Sequence, residues 1–198
     1  MGFIYADGCL ASDLRRVNLC IKDYEHMIKY SEFFNLPSDV IKIARVDGIE
    51  YYKASLNSRR LCSHLINKGV TPRKSLTLKY PSDEIIPNEL ERHFIRGYFD
   101  GDGSIRVRQR TYHNSKNLNT TCSVSIVGTH EFLSNMQLSL INKIKISETK
   151  LYQHGKNTYE YSKEGIECYR LLEHLYNNSS IFLDRKYNKF VAALHSDM

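Results

Sequence analysis

The chain has 198 residues, a formal net charge of +6, 41% hydrophobic and 11% aromatic residues, and only 4 prolines and 10 glycines. Such a length can bury a substantial core, and such a composition excludes a disordered tail. No apolar run approaches the roughly 20 residues that cross a bilayer, and the opening residues lack signal-peptide order, so an intracellular protein without membrane contact is expected.

A short apolar helix opens the chain and ends in Ala6-Asp7-Gly8. Residues 9–16 and 17–22 read as strands, the second because Val17, Leu19 and Ile21 alternate with Asn18, Cys20 and Lys22. Asp23 is the expected N-cap of a helix over 24–35, closed by Pro37. Strands over 40–46 and 49–56 flank Asp47-Gly48, a strong hairpin signal. Asn57 or Ser58 should cap a helix over 59–68, with Gly69 as the residue that leaves it. A linker over 81–87 then divides a first unit, 1–80, from a second, 88–198. The second unit repeats the order. A helix from Asn88 runs into Gly101-Asp102-Gly103, followed by strands over 104–110 and 120–127 joined by a polar loop at 113–117. Thr129 should cap a helix reaching residue 141; a hairpin over 146–154 and 158–162 turns at Gly155-Lys156-Asn157, and helices follow over 165–177 and 183–194.

The two Asp-Gly sites stand in matched surroundings. Gly2-Phe3-Ile4-Tyr5-Ala6-Asp7-Gly8 and Gly97-Tyr98-Phe99-Asp100-Gly101-Asp102-Gly103 are both bulky apolar runs ending in a small residue, an aspartate and a glycine. A small residue there lets two helix ends approach closely, and the glycine permits the turn out of the helix. An aspartate at a helix C-terminus adds charge to an end that is already negative. Two such ends side by side repel each other unless cations bridge them, which makes the pair a candidate divalent-metal site. A single Asp-Gly more often caps a turn; the matched pair argues against that.

Basic charge is placed just after the second motif. No acid occurs between Gly103 and His130, while Arg106, Arg108, Arg110 and Lys116 all do. The period of a strand puts Arg106, Arg108 and Arg110 on one face and Ile105 and Val107 on the other. In the neighbouring strand Thr121, Ser123 and Ser125 oppose Cys122, Val124 and Ile126. A sheet with arginines and hydroxyls on its open face suits phosphate contacts and base-edge reading in a DNA groove. The five cysteines contain no CxxC pair and the eight histidines show no ligand spacing, so neither a disulfide frame nor a zinc site is expected.

Both motifs resemble that of the LAGLIDADG homing endonucleases in their single-chain, two-motif form. The second copy matches the motif's frame from Ile95 to Gly103 and continues with Ser104-Ile105; the first matches from Met1 to Gly8. Segments after later helices, Gly69-Val70-Thr71-Pro72-Arg73-Lys74-Ser75 and Phe182-Leu183-Asp184-Arg185-Lys186-Tyr187, are similar to that family too. The resemblance implies an α+β fold of two αββαββα repeats, with the motif helices packed at a pseudo-two-fold axis and antiparallel sheets forming a DNA-binding saddle. It implies a monomer that makes a staggered double-strand break in a long duplex site, as in intron or intergenic homing. Asp7 and Asp102 would hold Mg²⁺ or Mn²⁺, with the carbonyls of Ala6 and Gly101 as further ligands. Lys74 and Lys186 are the candidate catalytic basic residues, stabilising the added negative charge of the transition state, with strand residues near the acids as alternatives. The DNA-contacting set would be Arg15, Arg16, Lys42, Lys53, Arg106, Arg108, Arg110, Thr121, Ser123, Ser125, Lys150 and Tyr152.

Three departures from the family pattern stand out. The first motif begins at Met1, so its helix is short; Arg96 stands where a small residue is usual; and Tyr5 faces Asp100 in the alignment of the two copies. The halves are therefore expected to cut their strands unequally. Rival readings on the same fold are a DNA-binding regulator that does not cleave and a maturase that binds intron RNA. An intein is disfavoured, because neither a nucleophilic first residue nor a terminal His-Asn is present.

Overall fold

One order of helices and strands runs through the chain twice. The first pass is α1 (Gly2–Ala6), β1 (Gly8–Leu10), β2 (Arg16–Ile21), α2 (Tyr24–Phe33), β3 (Lys42–Val46), β4 (Ile49–Asn57) and α3 (Arg59–Asn67). The second is α4 (Glu91–Asp102), β5 (Gly103–Thr111), β6 (Leu118–Gly128), α5 (His130–Ile144), β7 (Tyr152–Gly155), β8 (Thr158–Glu164) and α6 (Gly165–Tyr176), followed by α7 (Asp184–Ser196). The structure, a computed structural model, describes residues 1–111 and 118–196; the expected loop at 113–117, with Lys116, lies outside the described residues. Each pass builds a four-stranded antiparallel sheet, ordered β1-β2-β4-β3 and β5-β6-β8-β7. The identical order is the internal duplication seen in three dimensions.

Local chemistry explains most boundaries. Ser58 caps α3 by accepting the Leu61 N–H at 3.1 Å, and Thr129 caps α5 by accepting that of Phe132 at 3.2 Å. Asp47 and Gly48 both have positive φ, 51° and 76°, as the two-residue β3–β4 turn requires. Four expectations need correction. The strand expected over 9–16 stops at Leu10, because Asp13 accepts the Arg15 N–H at 3.1 Å and Leu14 takes a φ of 53°, which turns the chain back. Helix α2 ends at Phe33, with Asn35 at a φ of 50°. The helix expected from Asn88 begins at Glu91. In the second hairpin only residues from Tyr152 pair, since Ser147 and Thr149 give their N–H groups to the side chains of Glu167 and Gln137.

The core is continuous but unequal. One cluster of buried residues links α1, α4 and both passes, from Ile4 and Val17 to Phe132, Leu172 and Phe190. A second, small cluster of Leu19, Ile21, Met27 and Ala54 seats α2 on the first sheet. Around α4 the aromatic rings of Tyr80, Phe94, Tyr98 and Phe132 meet edge-on or tilted, with Tyr98 and Phe132 centroids 4.2 Å apart.

Helices α1 and α4 approach until backbones touch. A Cβ built on Gly2 would lie 1.9 Å from the Phe94 carbonyl oxygen, one on Gly97 2.8 Å from the Phe3 nitrogen, and one on Gly101 2.2 Å from the Ala6 Cβ. Only glycine fits at these three crossings. Gly48 differs: a Cβ there meets nothing within 4 Å, and only its φ of 76° disfavours a side chain. Gly2→Val should accordingly cost about 3 kcal/mol in urea unfolding, whereas Gly48→Ala should cost about 1 kcal/mol.

Candidate active site and the open sheet faces

The close crossing sets the ends of α1 and α4 together, and with them Asp7 and Asp102. Burial raises the Asp7 carboxyl to about 6, the neighbouring Asp102 charge adds to the rise, and Lys186, Lys74 and Arg185 oppose it. Asp102 reaches solvent on one side, yet the protein around it still raises its pKa, against the pull of Lys74, Lys186 and the Tyr98 hydroxyl. The two acids are thus near neighbours in a partly dry setting.

Lys74 and Lys186 explain how these helix ends tolerate their charge. Lys74 donates to the Ala6 carbonyl at 2.7 Å, and Lys186 to the carbonyls of Phe99, Asp100 and Gly101 at 2.6, 2.7 and 3.3 Å. Each lysine caps the C-terminus of its own repeat's motif helix, placing positive charge where the macrodipole is negative. Both are buried, and desolvation lowers the pKa of each, that of Lys186 to about 8. Their ammonium groups are committed to backbone oxygens, so the carboxylates keep their lone pairs for other cations. Among the described residues no group of three or more histidines, cysteines and acids gathers as a metal cluster. A hard cation here would draw on two carboxylates, on main-chain carbonyls and on substrate oxygens, a donor set that suits Mg²⁺.

Two cavities flank the pair. One of about 260 Å³ exposes Asp7 beside Lys22, Asp23, Tyr51 and Arg185; one of about 170 Å³ exposes Asp102 beside Lys74, Tyr98 and Thr158. Each mixes residues of both repeats. The halves differ in detail. Tyr5 is buried and its hydroxyl donates to the Lys68 carbonyl, whereas its counterpart Asp100 is buried and accepts from the Tyr176 hydroxyl at 2.8 Å and the Leu183 N–H at 3.1 Å. Desolvation raises Asp100 to about 6. Arg96 does not wedge the helices apart, because its guanidinium donates to the carbonyls of Ile181 and Leu175 at 2.9 and 3.3 Å.

The sheets present the expected open faces. Register sets Arg106 opposite Ser123, Arg108 opposite Thr121 and Ser104 opposite Ser125, while Ile105, Cys122, Val124 and Ile126 are buried beneath the helices. Arg110 pairs with Asn119 through its backbone, and its side chain lies outside the described residues. In the first sheet Arg16, Asn18 and Cys20 lie opposite Asn57, Ser55 and Lys53, with Lys42 beyond Lys53. Arg15 sits in the β1–β2 turn, and Lys150 precedes β7, which starts at Tyr152. The second face is not free of acids, as the residues before His130 had implied. Strand β8 brings Glu164 opposite Ser123 and Glu160 opposite Val127 and Tyr152. Sequence reasoning missed Asp23, Tyr98, Tyr51 and Arg185 at the site, although Arg185 sits in the duplicated Arg-Lys pair.

Residues 89–181 match the family model described as "LAGLIDADG-like domain". The chain carries a LAGLIDADG-like domain. Solved structures extend the likeness to nearly the whole length, and show the LAGLIDADG homing endonuclease fold. The meganuclease I-AabMI bound to uncleaved DNA aligns with a TM-score of 0.61 at 14% identity, covering 99% of this chain and 90% of that one. The homing endonuclease I-LtrWI bound to target DNA gives 0.63 at 10%, covering 99% and 88%, and I-SmaMI bound to cleaved DNA gives 0.59 at 13%, also covering 99% and 88%. A curated relative, the probable translation initiation factor IF-2 of Methanocaldococcus jannaschii, is 26% identical over 165 residues, or 82% of this chain. That alignment spans only 13% of the relative's length. Among the described residues no helix is long and apolar enough to cross a membrane.

The site's electrostatics yield two predictions. The folded protein binds more protons than the unfolded chain between the ordinary Asp value of 3.8 and about 6, so Asp7 removes stability as pH rises through that window. Asp7→Asn should raise the metal-free melting temperature at pH 7.5 by about 4 °C and flatten its pH dependence from 4 to 6, as read by calorimetry. Lys186→Met strands the Asp100 and Gly101 carbonyls, since that of Phe99 still accepts the Gly103 N–H, and should cost about 2 kcal/mol, against about 1 kcal/mol for Lys74→Met, which strands one, in denaturant titrations.

Proposed function

We propose that this protein is a metal-dependent DNA endonuclease of the homing type, cutting each strand of a long duplex site from one half of the molecule. The adjacency of Asp7 and Asp102 at the glycine-lined helix crossing carries this reading. On it, Asp7 and Asp102 hold Mg²⁺ or Mn²⁺, and the second lone pairs of the Ala6 and Gly101 carbonyls are available beside them. Bound there, the cation supplies an activated water and a counter-charge for the leaving oxygen. The chain's own part is to hold the carboxylates apart from protein cations, to keep the helix ends capped by Lys74 and Lys186, and to set both cavities against the backbone of a duplex. The lysines lie close enough to the acids to shape their pKa, which supports a share in stabilising the added negative charge of the transition state.

The open faces supply the recognition surface. Arg16, Lys42, Lys53, Arg106 and Arg108 are exposed on these faces, among serine, threonine and asparagine side chains that suit base-edge contacts. Glu160 and Glu164 extend the readout, because a carboxylate accepts from the cytosine amino group and repels phosphate. Double-stranded DNA is the partner read from this surface, and the solved relatives described above include DNA complexes. An RNA maturase uses the same surface but has no need of two acids aligned between the halves.

A cleavage selection decides the matter. Duplexes recovered as cleaved from a randomised pool should be cut again in Mg²⁺, with cutting abolished in chelator and in Asp7→Asn or Asp102→Asn, while binding persists. Tight binding to RNA with no cut duplex recovered would favour the maturase. Affinity for duplex should fall linearly on a log–log salt plot, and Arg108→Ala should reduce that slope by about 1.

A further inference from the structure

The duplicated Arg-Lys pair is used evenly at its lysines and unevenly at its arginines. Arg185 directs its Nε at both carboxylate oxygens of Asp23, at 2.9 and 3.1 Å. Its two Nη groups have no protein partner among the described contacts. Asp23 holds the N-cap position of α2 but makes no side-chain cap bond. Thr129, at the matching place before α5, does cap its helix and also donates to the Leu78 carbonyl at 2.5 Å. Asp23 and Arg185 both line the Asp7 cavity, and they come from different repeats. A second contact, Lys29 to Asp184 at 2.6 Å, fixes the start of α7 against α2. Arg73, beside Lys74, is exposed at a φ of 56°, and no ion pair to it occurs among the described residues.

A guanidinium anchored through Nε presents its two Nη groups as a fork, the geometry that receives two oxygens of one phosphate. We propose that Arg185, held in place by Asp23, clamps the DNA phosphate that enters the Asp7 cavity, and that the absence of such a buttress on Arg73 makes cutting of the two strands unequal. The inference rests on the nuclease reading above. Arg185 would touch substrate, and Asp23 acts through it as a positioning residue. Without the anchor the long side chain has to be ordered by the phosphate itself, at a cost in conformational entropy.

The probe is a duplex recovered as cleaved from a randomised pool, its strands labelled with different dyes and followed under single-turnover conditions. Arg185→Ala should slow one strand by about tenfold and leave the other within about twofold. Asp23→Ala should slow the same strand, and Asp23→Asn, which keeps an acceptor for Nε, should restore most of the rate. Arg185→Lys should fall between, because one ammonium cannot be anchored and still offer a fork. Melting temperatures identify any variant that fails to fold, in which case Asp23→Asn and Arg185→Lys decide. Equal slowing of both strands, or a faster affected strand in Asp23→Ala, overturns the clamp while leaving the nuclease reading intact. A wild-type protein that yields no cleaved duplex overturns both.

Discussion

Two carboxylates held side by side at the C-terminal ends of two helices form an arrangement that electrostatics opposes. The helix ends already carry partial negative charge, and partial burial strengthens every repulsion between them. Three glycines make the approach sterically possible, at Gly2, Gly97 and Gly101. Two buried lysines make it tolerable, by neutralising the backbone ends while their ammonium groups bond carbonyls rather than the acids. What remains is a concentrated negative site opening into two cavities. On the proposed reading such a site would favour a bound cation, and a bound cation would favour an approaching phosphate.

The two halves share a plan without sharing its details. The second repeat carries most of the buried aromatic core, and it is the part matched by the family model. The first seats its helix α2 by packing Met27 on three buried sheet residues, Leu19, Ile21 and Ala54. Exchanges at matched positions, Tyr5 for Asp100 and Phe3 for Tyr98, surround the two acids differently. A duplicated chain can diverge in this way because each half mutates independently of the other, whereas a dimer of identical subunits cannot.

Much of this was legible in the residues. The repeated motif fixes the acids, and strand alternation places Arg106 and Arg108 above a buried layer of Ile105, Val124 and Ile126. Capping at Ser58 and Thr129 follows from short polar side chains before apolar periodicity. What escaped depends on distant pairing. Asp23 reads as a helix cap, but α7 brings Arg185 to it from the other end of the chain. Glu160 and Glu164 reach the arginine-bearing face only through the β6–β8 register, which no local pattern encodes. The roles of Lys74 and Lys186 as caps likewise need the folded positions of α1 and α4.

The chain between α3 and α4 is stitched to the second repeat. Thr129 holds the Leu78 carbonyl, Asn157 donates to that of Leu76 at 2.7 Å, and Tyr80 bonds Glu91, which in turn meets Lys143. Together with a core that runs without a break from one repeat into the next, this leaves no seam along which the molecule can part. Melting should therefore be a single cooperative event, and severing the peptide between α3 and α4 should yield two fragments that stay clasped. Evolution could rewrite the open face of either sheet freely, while the shared middle keeps both halves in register.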